Sequence, residues 1–268
     1  MISFTKGLDL RLHVPLLLHS VIAQTTISLL KVNLSYRAIE LGLPVIWIGV
    51  ISATFAIVPI FIGLWIGRFI DRGNDALAVW IGSSVMLVAC AGFVALPSNA
   101  VTLLLANITL GLGHMFFMPG GQMVCERSGA AGGARELAFG NYMVANALGA
   151  GLGPLVLGVL AGNARIPDTT LLFQVGLAGA VVTAAMAFLM RPALKSDKAR
   201  GAHAVMPVGE LLRQPGMMIA ICASVMTIVT ADLMTIYLPL LGIERGIDAS
   251  HIGLALTIRA ISTMVSRL

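Results

Sequence analysis

An all-helical bundle that crosses a membrane several times is the fold class this sequence predicts. Composition is the first reason: 58% hydrophobic and 11% charged residues, with a mean hydropathy of +0.95, leave too little polar surface to clothe a water-soluble globule. Patterning is the second: the apolar residues lie in long uncharged runs separated by short charged turns. The run from Ile48 to Asp75 shows this best. Pro44 to Ile66 carries no charge, and at about 1.5 Å per residue such a helix covers the ~30 Å hydrocarbon thickness of a bilayer. It stops at Gly67-Arg68-Phe69-Ile70-Asp71-Arg72-Gly73, where glycines permit a reversal and the charged side chains need water or partners.

In chain order, Met1 to His13 contains Lys6 and Arg11 but no short apolar core followed by a small-residue cleavage site, so no removable signal peptide is expected. Span one covers about Val14 to Tyr36, with Lys31 expected to snorkel to the interface. Spans two and three are Pro44 to Ile66 and Leu77 to Leu96. Pro97-Ser98-Asn99 turns the chain into span four, Ala100 to Pro119, and a longer link, Gly120 to Ala138, holds Glu126, Arg127, Arg135 and Glu136. Span five is Phe139 to Ala161. Asn163 to Asp168 turns into span six, Thr169 to Met190. The most polar stretch, residues 191–214 with Lys195, Lys198, Arg200 and Arg213, reads as a linker between a six-helix unit, 1–190, and the start of a second unit, 215–268. Span seven covers Pro215 to Leu241, and span eight runs from Ser250 to the last residue.

The net charge of +5 and pI near 9.5 would suit nucleic acid, but the basic residues are spread over short loops rather than gathered on one face. Membrane topology accounts for them. The amino terminus and the even-numbered connections hold Lys6, Arg11, Arg68, Arg72, Arg127, Arg135, Arg191, Lys195, Lys198, Arg200 and Arg213, against Lys31, Arg37, Arg165 and Arg245 towards the other side. By the positive-inside rule the amino terminus is cytoplasmic. Cys90, Cys125 and Cys222 are isolated and form neither a disulfide framework nor a metal-ligand spacing. Neither a phosphate-cradling glycine loop with lysine, nor paired histidines with a glutamate, nor a serine elbow is present, so an ATP-driven pump or an intramembrane hydrolase is not expected. The chain is not read as an enzyme, and no cofactor or metal is expected.

An internal repeat supports two matching units. Adding 204 to Glu40, Gly42, Ile48, Gly49 and Ala56 lands on Glu244, Gly246, Ile252, Gly253 and Ala260, each the same residue type. By that offset span seven repeats span one, and the partner of Gly67 would be position 271, past Leu268. In span five, Gly149 and Gly153 share a helix face, continued by Gly158 and Gly162, while Pro154 removes a backbone donor. Such a stripe serves close helix packing as readily as function.

With these residues in view the sequence resembles the major facilitator superfamily of secondary transporters, as the first eight of twelve or more spans. Gly67, Asp71 and Arg72 resemble its signature between spans two and three, in which a glycine precedes an aspartate by four and a basic residue follows. The resemblance implies a cytoplasmic latch, with the aspartate holding the outward-facing state. Gly73 stands one place early, and Asn74-Asp75 replaces the usual basic pair. Gly149, Gly153, Pro154 and Gly158 resemble the exporters' antiporter motif, with Leu157 replacing one glycine. This implies export coupled to proton influx, commonly of drug-like compounds. Asn107 stands where many family exporters carry a buried arginine.

An ionisable group at a helix centre costs ~2.5–3.5 kcal/mol on the insertion scale, so each needs a reason. Asp232, flanked by Thr230 and Thr235 and followed by Pro239, is either a carrier of an exchangeable proton or a carboxylate fixed by a hydroxyl or by Arg259. Arg259 pairs with Asp232 or meets an anionic substrate. His114 can titrate near neutral pH, or serve as hydrogen-bonded structure. Asn33, Asn141, Asn146 and Gln174 offer neutral hydrogen bonds to a central cavity.

The resulting expectation is an integral multi-pass protein of the plasma (inner) membrane, monomeric, moving a small-molecule substrate by alternating access. Proton-coupled export of small organic or drug-like molecules leads. A facilitator or importer of a small metabolite without proton coupling is the alternative, together with a truncated product that inserts and transports nothing, which a natural stop after Leu268 would favour.

Overall fold

The computed structural model describes residues 10–130, 134–195, 209–210 and 213–265. Lys6, Lys198, Arg200, most of the expected linker and the end of span eight lie outside the described residues. Eight long helices are present among them: α1 (Leu10–Glu40), α2 (Val45–Phe69), α3 (Asp75–Ala95), α4 (Ala100–Ala130), α5 (Arg135–Ala161), α6 (Thr169–Lys195), α7 (Met217–Glu244) and α8 (Ala249–Val265), with a π-helical turn, Ile70–Asn74, joining α2 to α3. Among the described residues six helical stretches are long and apolar enough to cross a membrane, one of which, Val45–Ala95, contains both α2 and α3.

Each expected span is found as a helix, but several helices outrun their apolar runs. α4 passes through Pro119, expected as its end, and continues to Ala130. Beside the proline, the Tyr142 hydroxyl donates to Met118 O at 3.3 Å. Polar side chains start other helices: Asn99 Oδ1 accepts from the N–H groups of Val101 and Thr102, and Asp168 Oδ1 from those of Thr170 and Leu171, all at 3.0 Å.

Close approaches between helices establish how they alternate. Asn107 of α4 bonds Ile51 of α2, and Gly111 lies against Phe55, so α2 and α4 run parallel. α3 runs against α4, because Gly82 meets Gly113 and Phe117 whereas Asp75 and Ala78 meet Gly120. In the same way α1 is parallel to α5 through Gly149 beside Val21 and Gly153 beside Leu29. It is antiparallel to α6 through Gly176 beside Leu30 and Gly179 beside Thr26. α8 is antiparallel to α5, with Gly158 against Ser250 and Thr257 Oγ1 donating to Gly151 O at 3.1 Å. A Cβ at several of these glycines would overlap a neighbour's backbone, which is why small residues stand where helices touch.

Two apolar clusters mark the ends of the bundle. Leu12, Leu16, Val79, Val124, Tyr142 and Ala187 join the starts of α1, α3 and α5 to the ends of α4 and α6. Leu29, Tyr36, Leu157, Leu172, Ala249 and Ile252 gather at the opposite end. Arg68, Arg72, Arg127, Arg135 and Arg213 therefore share one end, and Arg37, Arg165 and Arg245 the other.

The corner after α1 is built twice. Leu41 N–H donates to Arg37 O, Gly42 N–H to Ile39 O and Leu43 N–H to Ala38 O; 204 residues on, Arg245, Gly246 and Ile247 donate to Leu241 O, Ile243 O and Gly242 O. Gly42 (φ 66°) and Gly246 (φ 68°) both take the left-handed conformation that ends a helix without strain only in glycine.

Candidate substrate and coupling site

Four helices supply the walls of a small cleft: Lys31 and Leu34 from α1, Ser52 from α2, Asn107 from α4, and Asp232, Thr235 and Ile236 from α7. Charged groups well inside these helices are rare, so the meeting of Lys31 and Asp232 here is a strong chemical signal. Lys31 Nζ meets Asp232 Oδ1 at 2.8 Å and stands 4.4 Å from the centroid of the Phe55 ring. A carboxylate and an aromatic face are the two surroundings that favour an ammonium in a partly dry site. Lys31 therefore does not snorkel to the interface as the sequence suggests. It turns inward.

Asp232 thus has a partner 201 residues away in the chain rather than Arg259. Arg259 reaches the rim from α8, where its NH2 group donates to Thr235 Oγ1 at 3.4 Å and its Nε is buried with no hydrogen-bond partner. Asn107 is buried; its Nδ2 donates to Ile51 O at 2.6 Å and to Thr54 Oγ1 at 3.2 Å, and its Oδ1 is left without a partner. His114 lies behind Phe55, their ring centroids 5.4 Å apart, with Phe117 edge-on at 5.4 Å on its other side and Nε2 buried without a partner.

The remaining amides serve elsewhere. Asn33 Nδ2 donates to Thr169 O at 3.0 Å and ties α1 to α6; Asn146 Nδ2 donates to Tyr142 O on its own helix; Asn141 contacts His13 at 3.4 Å. Gln174 is exposed on α6 and away from the cleft lining.

A sequence model of the Major Facilitator Superfamily matches residues 16–268, nearly the whole chain. The chain belongs to the major facilitator superfamily. It is an integral multi-pass membrane transporter of a family whose members carry small molecules rather than catalyse reactions. No curated protein matches the sequence.

Within this family member the other two groups of sequence candidates fall outside the cleft. At the α2–α3 corner Gly73 (φ 81°) turns the chain, Asn74 Nδ2 donates to Phe69 O at 3.0 Å, and Asp71 and Arg72 are exposed. A Cβ at Gly67 would meet nothing within 4 Å. The acid that is buried here is Asp75, paired with Arg127 of α4 and accepting from Ala76 N–H at 2.9 Å. Sequence reasoning missed this pair. A buried carboxylate at a helix start facing an arginine at the end of the next helix is a pattern that antiparallel neighbours make visible only once paired. On α5, Gly149 and Gly153 press against α1, whereas Pro154 and Gly158 press against Gly253 of α8. The stripe therefore has a packing role on two faces.

Proposed function

We propose that this carrier works by alternating access, with α1–α6 as one half and α7–α8 as the opening of the second, and exports small organic molecules in a proton-coupled cycle through Asp232. The observation that supports this is the Lys31–Asp232 pair, which joins α1 to α7 across the cleft at 2.8 Å. A proton on Asp232 removes the charge that holds Lys31, so protonation and the approach of the two halves are coupled through one contact. Export as the direction rests on the resemblance of Gly149, Gly153, Pro154 and Gly158 to the exporter pattern. Those residues pack α5 onto both α1 and α8, where a rocking motion would pivot. Asp71 and Arg72, exposed at the corner, would latch one state against a surface of the second half.

The protein would act as a monomer in the plasma (inner) membrane with the basic end of the bundle in the cytoplasm. Accessibility labelling of cysteines placed at Arg72 and Arg200 tests the topology, since both should react from the cytoplasmic side. For coupling, uptake of ethidium or benzoate added outside everted vesicles bearing the full chain is followed with a pH gradient and after its collapse by an uncoupler. Gradient-dependent flux in the wild type and its absence in Asp232→Asn are expected; wild-type gradient dependence in the variant would remove Asp232 from the cycle. Uncoupled facilitation is the second reading. It is favoured by Asn107, a neutral amide bonded to Ile51 O and Thr54 Oγ1 where a buried arginine would otherwise offer a second charge.

A further inference from the structure

The cleft carries a charge imbalance that a proton site alone does not explain. Lys31 and Asp232 offset one another, but Arg259 has only the 3.4 Å contact to Thr235 and a buried Nε without a partner. The groups that face Asp232 are Lys31 from α1, Arg259 from α8 and, behind Phe55, His114 from α4; α2 brings Ser52 and Phe55 and no charge at this level. Among the described residues, two permanent cations therefore stand at the cleft, Lys31 paired with Asp232 and Arg259 bonded only to Thr235 on its wall, against one carboxylate. A half-buried surplus charge favours a counter-ion, and a guanidinium fork beside an ammonium suits a carboxylate.

We propose that the cleft binds a small organic anion, held jointly by Lys31 and Arg259, and that a proton on Asp232 tightens the hold. The second clause rests on the reading of Asp232 as the proton acceptor. With Asp232 ionised, an arriving anion must displace a like-charged carboxylate from Lys31. Once Asp232 takes a proton from the aqueous phase, the Lys31 ammonium is released and the surplus rises from one positive charge to two. Anion and proton each favour the other's binding, and linkage makes the effect reciprocal. Ligands that bind together cross together. Acid and proton then cross in the same direction, so Asp232 stays the proton acceptor, but cotransport replaces the export against proton influx that the exporter resemblance implies.

The test uses three probes that share one ring and differ in charge, benzoate, benzamide and benzylammonium, each of fixed ionisation between about pH 5.5 and 8. Binding to the purified full chain is measured by calorimetry in detergent. Benzoate should bind best of the three, and more tightly as pH falls. Asp232→Asn, which imitates the protonated acid, should bind benzoate roughly tenfold more tightly, within the usual range of site-to-site couplings, and without pH dependence. Lys31→Gln and Arg259→Gln should each weaken it. A gain of affinity in Asp232→Asn cannot come from a protein that has failed to fold. Preference for benzylammonium, no gain in Asp232→Asn, or no binding of benzoate to either protein would overturn the anion site. If the variant gains affinity while the wild type shows no pH dependence, the anion site stands and the proton-acceptor reading fails.

Discussion

Two acid–base pairs in this molecule have the same chemistry and opposite surroundings. Asp75, with none of its side chain exposed, meets Arg127 between consecutive antiparallel helices of one bundle. Asp232, 44% exposed, meets Lys31, 24% exposed, between helices far apart in the chain. Arg127, 23% exposed, is as open as Lys31, but Asp75 cannot lose it without leaving a carboxylate in a dry place. In the second pair the ammonium also has the Phe55 ring, and the carboxylate is 44% exposed. The cations are alike in exposure, so it is the burial of the carboxylate that sets the pairs apart, and on that ground the first is expected to fasten and the second to exchange.

Arg127→Met breaks the comparison most forcefully. Leaving Asp75 buried and unpaired should cost about 3–5 kcal/mol, read as a fall in the thermal midpoint of the purified protein. A cost under about 1 kcal/mol would put Asp75 on the same footing as Asp232. Removing both charges, Asp75→Leu with Arg127→Met, should return the midpoint most of the way to wild type, because apolar side chains of similar size replace a buried pair at little net loss. No recovery would mean that the carboxylate's bond to Ala76 N–H, and not the arginine, is what the corner needs. Lys31→Met comes next in size. It should change stability by less than about 1 kcal/mol, as half-open ion pairs do, while abolishing gradient-dependent flux in vesicles. A large stability loss would make this pair a fastening too. Asp71→Asn should have the smallest effect, within about 0.5 kcal/mol on stability, with its cost appearing only as a slower transport cycle. A midpoint drop like that of Arg127→Met would reveal a buried partner for Asp71.

The helices were legible because lipid forces long apolar runs, and each run between Val14 and Leu241 became one helix. Their ends were less legible. Hydropathy reports where hydrocarbon stops, whereas α4 and α1 continue as helices past it, and Pro119 interrupts one backbone bond without ending its helix. The repeat at offset 204 was visible in five residues and reappears as shared backbone bonds at two corners. The cleft was half legible. Asp232, Asn107 and Arg259 stood out as polar groups within apolar runs, but Lys31 lies near the end of its span and reads as an interfacial anchor, and only the packing of α1 on α7 aims it inward. Likewise the eye is drawn to Asp71 at the corner, while Asp75, four residues on, is the acid that the fold encloses.

The corner written twice, at Gly42 and at Gly246, gives the molecule an internal ruler. Two bends with one geometry sit in the same chain, the same lipid and the same preparation, so a methyl group added to either glycine is calibrated by the other. Any difference between the two responses must come from what surrounds each bend, which makes the pair a gauge of how unequally the front and back of the carrier bear load.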